Sequence, residues 1–68
     1  MRKIDYSNTK IKKFLKNMEA YAVTQEDEEI IVHNADQTML KRWAKEFAKS
    51  PFSLQYEDNN LILFNAKA

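Results

Sequence analysis

Residues 21–36, Tyr-Ala-Val-Thr-Gln-Glu-Asp-Glu-Glu-Ile-Ile-Val-His-Asn-Ala-Asp, have a near-copy at 52–67, Phe-Ser-Leu-Gln-Tyr-Glu-Asp-Asn-Asn-Leu-Ile-Leu-Phe-Asn-Ala-Lys. The two segments share Glu26/Glu57, Asp27/Asp58, Ile31/Ile62, Asn34/Asn65 and Ala35/Ala66, and both are apolar at Tyr21/Phe52, Val23/Leu54, Ile30/Leu61 and Val32/Leu63. Upstream, residues 11–20 (IKKFLKNMEA) match 40–49 (LKRWAKEFAK), with Ser50-Pro51 inserted in the second copy. Lys12/Lys41 and Lys16/Lys45 are identical there, and Ile11/Leu40, Phe14/Trp43 and Met18/Phe47 are alike. Average composition would give roughly one or two identities over such an alignment, against the seven found. Two amphipathic elements can converge by chance, but the pattern reads better as repeated structure. It divides a single domain, 1–68, into units of about 7–35 and 36–66.

Each unit reads as helix, strand, turn, strand. Ile11, Phe14, Leu15 and Met18 fall on one helical face, and Leu40, Trp43, Ala44 and Phe47 repeat the spacing. Ser7 or Asn8 supplies an N-cap for the first helix. For the second, Asn34 with Gln37 forms a capping box, or Asp36 acts as the cap. Pro51 stops the second helix, because proline disfavours α geometry in the residue before it. Strands are expected at 21–25, 29–34, 52–56 and 61–65, and Ile4 and Tyr6 add a short edge strand. The fold class is therefore α+β: duplicated αββ units, a four-stranded, mostly antiparallel sheet and two helices on one face.

Hairpin length decides which side chains meet the helices. Two-residue loops at Asp27-Glu28 and Asp58-Asn59 pair Val23 with Val32 and Leu54 with Leu63. Tyr21, Val23, Ile30, Val32, Phe52, Leu54, Tyr56, Leu61 and Leu63 then pack on the helices. The opposite face shows Ala22, Thr24, Ile31, His33, Ser53, Gln55, Ile62 and Phe64. Three-residue loops shift the pairing by one and expose Ile30, Val32, Leu61 and Leu63 instead. Asparagine at Asn59-Asn60 suits a tight turn, whereas Asp27-Glu28 is the poorer one. In either register the outer face keeps large apolar side chains near its middle, the usual mark of a partner or dimer surface. Ile31, His33, Ile62 and Phe64 are the candidate partner-binding residues.

Composition narrows the chemistry. The 68 residues are 44% hydrophobic and 31% charged, which suits a small globular core. Cysteine is absent, which excludes disulfides and thiolate metal sites. Glycine is absent too, and with it every glycine-dependent phosphate loop. His33 is the only histidine and has no triad or metal-site partners near it in sequence; the acidic runs lack the alternation and central glycine of a calcium loop. No catalytic residue, cofactor, metal or small-molecule substrate is therefore expected. No signal peptide or apolar run of membrane-spanning length is evident, which points to a soluble intracellular protein.

Net charge is +1, without a domain-wide basic footprint, yet the positive charge sits on the helices. Lys12, Lys16, Lys41, Arg42, Lys45 and Lys49 are candidate contacts for phosphates or an acidic partner. The competing reading is a solvated helix face. Two functions follow: a non-enzymatic regulator or inhibitor that contacts a protein, or itself as a homodimer, through the open sheet face; and, as the alternative, a nucleic-acid-binding regulator using the lysines.

The second unit, from Met39 to Asn65, resembles the helix-plus-hairpin unit of phage double-wing domains, whose type member is the DNA-binding domain of a phage middle-promoter activator. The likeness rests on Leu40-Lys41-Arg42-Trp43-Ala44-Lys45-Glu46-Phe47, the strand from Phe52, the Asp58-Asn59-Asn60 tip and Leu61 to Phe64. It lies in pattern and topology. The glycine expected at such hairpin tips is missing, and the sheet face lacks the basic residues a DNA saddle needs, so DNA binding is not transferred to named residues. The resemblance implies a phage or mobile-element origin and, with it, the cytoplasm of a bacterial host.

Overall fold

A computed structural model of the chain describes residues 2–66. Lys67, which the repeat sets opposite Asp36, lies outside the described residues. The elements run α1 (Thr9–Asn17), β1 (Val23–Gln25), β2 (Glu29–Val32), α2 (Thr38–Glu46), β3 (Phe52–Glu57) and β4 (Asn60–Asn65). The αββαββ order and the α+β class are as the sequence indicates. The sheet is antiparallel throughout, in the order β1-β2-β4-β3, so the second strand of each unit meets the other at the centre.

The register is that of two-residue loops. Val23 lies opposite Val32 and Leu54 opposite Leu63. Asp58 and Asn59 both take positive φ, 51° and 65°, the two left-handed residues a tight hairpin needs to match strand twist. Asparagine tolerates that region best after glycine, which is how a chain without glycine makes the turn. The first hairpin closes at the same length through a Glu26 N–H to Glu29 carbonyl bond of 2.9 Å, with neither Asp27 nor Glu28 at positive φ.

Ile30, Val32, Leu61 and Leu63 are fully buried on the helix side, with Ile11, Phe14, Met18, Trp43 and Phe47 above them. Phe14 and Trp43, equivalent in the repeat, meet edge to face with centroids 5.0 Å apart. Phe47 packs against Phe14 at 5.9 Å and Phe52 at 5.8 Å, extending the cluster from helices to sheet. Four sequence expectations need correction here. Tyr21 does not pack on the helices: it is 37% exposed, because its N–H bonds the Met18 carbonyl and keeps it in the turn leaving α1. Ala44 is exposed and lies off the apolar stripe. β1 begins only at Val23. β2 ends at Val32, since Asn34 turns the chain at φ 53°.

That turn also settles the caps. Asn34 and Gln37 form no capping box; the Asp36 carboxylate accepts from the Thr38 N–H at 3.0 Å instead. Asn8 caps α1 through the Lys10 N–H at 2.8 Å. Ser7 bonds Asp5, and its hydroxyl and N–H hold that carboxyl below its usual range. Ser50 links α2 to β3, its hydroxyl donating to the Phe47 carbonyl at 2.7 Å and accepting from the Phe52 N–H at 3.2 Å.

Ile4 and Tyr6 do not form an edge strand. Arg2 makes a single bridge to Asn65, on the side of β4 where β2 has already ended. Ile4 is buried and its N–H bonds the Asp27 carbonyl at 2.7 Å, while the Tyr6 hydroxyl donates to the Glu26 carbonyl. The second unit shows the counterpart: the buried Ala35 donates its N–H to Asn59 at 2.8 Å and accepts from the Tyr56 hydroxyl at 2.7 Å. In both halves a buried residue ahead of the helix is tied to the tip of that half's hairpin.

Two outcomes are expected. Trp43→Ala should cost roughly 3–5 kcal/mol in urea melts, as truncating a buried aromatic does; a loss below about 1 kcal/mol would remove Trp43 from the core. Partial burial, then the Asp27 and Glu26 carboxylates, push the Tyr6 hydroxyl above its ordinary value. Because the folded state holds that proton more tightly, its contribution is intact below about pH 10 and lost as pH rises through the folded pKa. Alkaline melts should therefore fall more steeply for the wild type than for Tyr6→Phe, and parallel curves would show that this hydroxyl is not involved.

Candidate partner-binding face

The outer face of the sheet is built by alternation from the β2–β4 pairing. Ile31 lies directly opposite Ile62, with Thr24 beyond Ile31 and Gln55 beyond Ile62. Hydrogen-bonded and open pairs alternate along an antiparallel ladder. The His33 N–H bonds the Ala22 carbonyl at 2.9 Å, so the outward-facing residues of β2 turn their amides toward β1. Ile31 and Ile62 are therefore an open pair, the type in which Cα atoms lie only about 4.5 Å apart and side chains touch. Glu29 opposite Phe64 and Phe64 opposite Ser53 form the next row.

This register is unchanged when the two units are exchanged. Ile31 and Ile62 are repeat equivalents facing each other, and His33 and Phe64 are equivalents set diagonally about them. All four expected partner-binding residues thus share one face and surround its centre. Each is half-buried, as are Ser53 and Glu29, while Ala22, Thr24 and Gln55 are exposed. His33 Nε2 and the Thr24 hydroxyl share a hydrogen bond of 2.7 Å, which fixes the ring across β1. A shallow concavity of about 260 Å³ lies beside Phe64, lined by Glu29, Gln55, Glu57, Ile62 and Phe64.

Sequence reading missed the charge of this face. Glu29 faces outward, and Glu26 and Glu57 extend its rows by the same alternation, yet no lysine or arginine lies on the strands at all. The signal was present in the parity of Glu29 with Ile31. It becomes visible only once the register is fixed.

The lysines gather on the opposite side of the molecule. Lys12, Lys16, Lys41, Arg42, Lys45 and Lys49 are all exposed. At 3.6 residues per turn, Lys12 and Lys16 point away from the buried Ile11 and Phe14, and Lys41 and Lys45 do so on α2. Arg42 turns toward the neighbouring ring of Trp43, 5.7 Å from its centroid. Lys10 donates to the Glu46 carbonyl at 2.9 Å, and Lys13 lies 3.7 Å from the Glu46 carboxylate, joining the helix flanks. That ion pair is exposed and holds little energy.

Among the described residues, no group of three or more His, Cys, Asp or Glu side chains is arranged to hold a metal ion, and no helix is long and apolar enough to cross a membrane. The chain matches no family model, no curated protein and no solved structure.

Proposed function

We propose that this is a small non-enzymatic regulatory or inhibitory protein that acts by holding a partner protein against its open sheet face. One observation carries the reading: the Ile31–Ile62 pair occupies the middle of a face that no helix of the described residues covers. His33 and Phe64 widen that apolar centre, and Glu26, Glu29 and Glu57 rim it. The partner that fits is an apolar surface or helix with basic residues at its margin. Desolvated apolar centres carry most interface energy, and the charged rim sets orientation and on-rate. A phage or mobile-element origin, in a bacterial cytoplasm, belongs to the same proposal and rests on the double-wing resemblance of the second unit.

Ile62→Asp or Phe64→Asp should leave the circular dichroism of the fold intact while weakening partner capture by ~100-fold, because an unpaired carboxylate would be buried at the interface centre. Equal capture by wild type and both variants in pull-downs from the native host would end this reading.

A second reading is a nucleic-acid-binding regulator, favoured by the separation of charge: among the described residues six lysines lie on the helices and none on the strands. Phosphate contacts from Lys12, Lys16, Lys41 and Lys45 would make affinity for duplex DNA fall by about 0.9 log unit per log unit of salt for each phosphate neutralised. Binding that is insensitive to salt and nuclease would leave the sheet face as the working surface.

A further inference from the structure

The two ends of the sheet are not alike. β1 has only three residues and leads into the acidic run Glu26–Glu29, two of the devices that keep an edge strand from pairing. β3 has six residues in unbroken register with β4 and carries no charge before Glu57. Its backbone parity is fixed at both ends. The tight Asp58–Asn59 turn makes Glu57 and Asn60 a hydrogen-bonded pair. The Phe52 N–H bonds the Ser50 hydroxyl and not β4, while the Pro51 carbonyl accepts from the Ala66 N–H at 2.8 Å. Leu54 and Tyr56, in phase with Phe52, therefore turn their N–H and C=O groups off the edge of the sheet.

The helix beside this edge is cut back to match. Where the first unit has Leu15 and Glu19, the repeat puts Ala44 and Ala48, both exposed. With Phe47, Phe52 and Leu54 they line an open groove of about 270 Å³ between α2 and β3.

We propose that β3 is a pairing edge, and that a second copy of this chain occupies it. The strand is self-complementary about Gln55. A two-fold axis there sets Leu54 against Tyr56 of the second copy, and Tyr56 against its Leu54, so every outward amide of these residues is satisfied. Gln55 then faces its own counterpart in an open pair, and Glu57 faces Ser53, so no carboxylate meets another. The cut-back flanks of the two α2 helices come together over the joined edge. The product is a continuous eight-stranded sheet with all helices on one side. It goes beyond the partner-binding reading, because it leaves the Ile31–Ile62 face open and doubles it.

Gln55 is exposed, so changing it tests the joint without touching the core. By sedimentation equilibrium the wild type is expected at twice the monomer mass. Gln55→Lys and Gln55→Glu should each sediment as monomers with unchanged circular dichroism, since like charges directly opposite destabilise a strand pair. An equimolar mixture of the two variants should recover the dimer. Ile62→Asp should remain dimeric, whatever becomes of partner binding, which separates this proposal from the preceding one. A wild type that stays monomeric at the highest soluble concentration would overturn it, as would a Gln55→Lys variant that dimerises like the wild type. So would a dimer that Ile62→Asp abolishes and Gln55→Lys does not.

Discussion

The antiparallel pairing of β2 with β4 is the contact on which the rest of the molecule depends. Among the described residues it is the only pairing of named strands between the two halves, and it places Ile31 against Ile62 with Ile30 against Leu63 and Val32 against Leu61. Strand alternation then commits Ile30, Val32, Leu61 and Leu63 together to the helix side, where all four are fully buried. A slip of one residue between β2 and β4 would turn one strand over against the other, sending either Ile30 and Val32 or Leu61 and Leu63 to water. The tight Asp58–Asn59 turn fixes the β3–β4 register in the second half, and the Ile4 and Ala35 backbone bonds anchor the hairpin tips in both.

Much of this was legible because the chain states its pattern twice. The repeat showed which positions are equivalent, but hairpin length left two registers open, and the two-residue turns of the structure decided by parity which face is buried. Part of what was illegible is competition between local bonding options that look equal in sequence, and the rest is long-range pairing. Tyr21 has the composition of a strand residue, but the chain leaving α1 bonds it back to Met18. Asn34 and Asp36 are both good caps, and the need to reverse direction after Val32 uses Asn34, leaving the helix to Asp36. Ile4 finds its partner at Asp27, a pairing no local pattern announces. Of the candidate site, the apolar centre was readable and its carboxylate rim was not, since the face of Glu29 follows from its parity with Ile31 only once the register is fixed.

The arrangement also sorts charge by layer. Apart from Glu19 and Glu46, charged residues on the helices and the turns just after them are basic, whereas those on the strands and hairpin tips are acidic. A net charge of +1 thus hides two opposed surfaces separated by the thickness of one core. Such a molecule carries a pronounced dipole, and it orients in the field of a charged partner before contact is made. This is why the two functional readings are so cleanly divided: each uses a different side, and each side repels the other's partner.

The central pairing has a kinetic consequence as well. Helices and two-residue hairpins form from neighbours in sequence, on a timescale of about microseconds. The β2–β4 ladder joins residues half the chain apart, so its loop entropy must be met before any of its contacts are gained. Each half lacks a closed core until then: Phe14 needs Trp43, and Ile30 needs Leu63. The encounter of the two halves is therefore the step expected to limit folding. That step has the form of an association reaction whose partners are linked by the short connection through Asn34, Ala35 and Asp36.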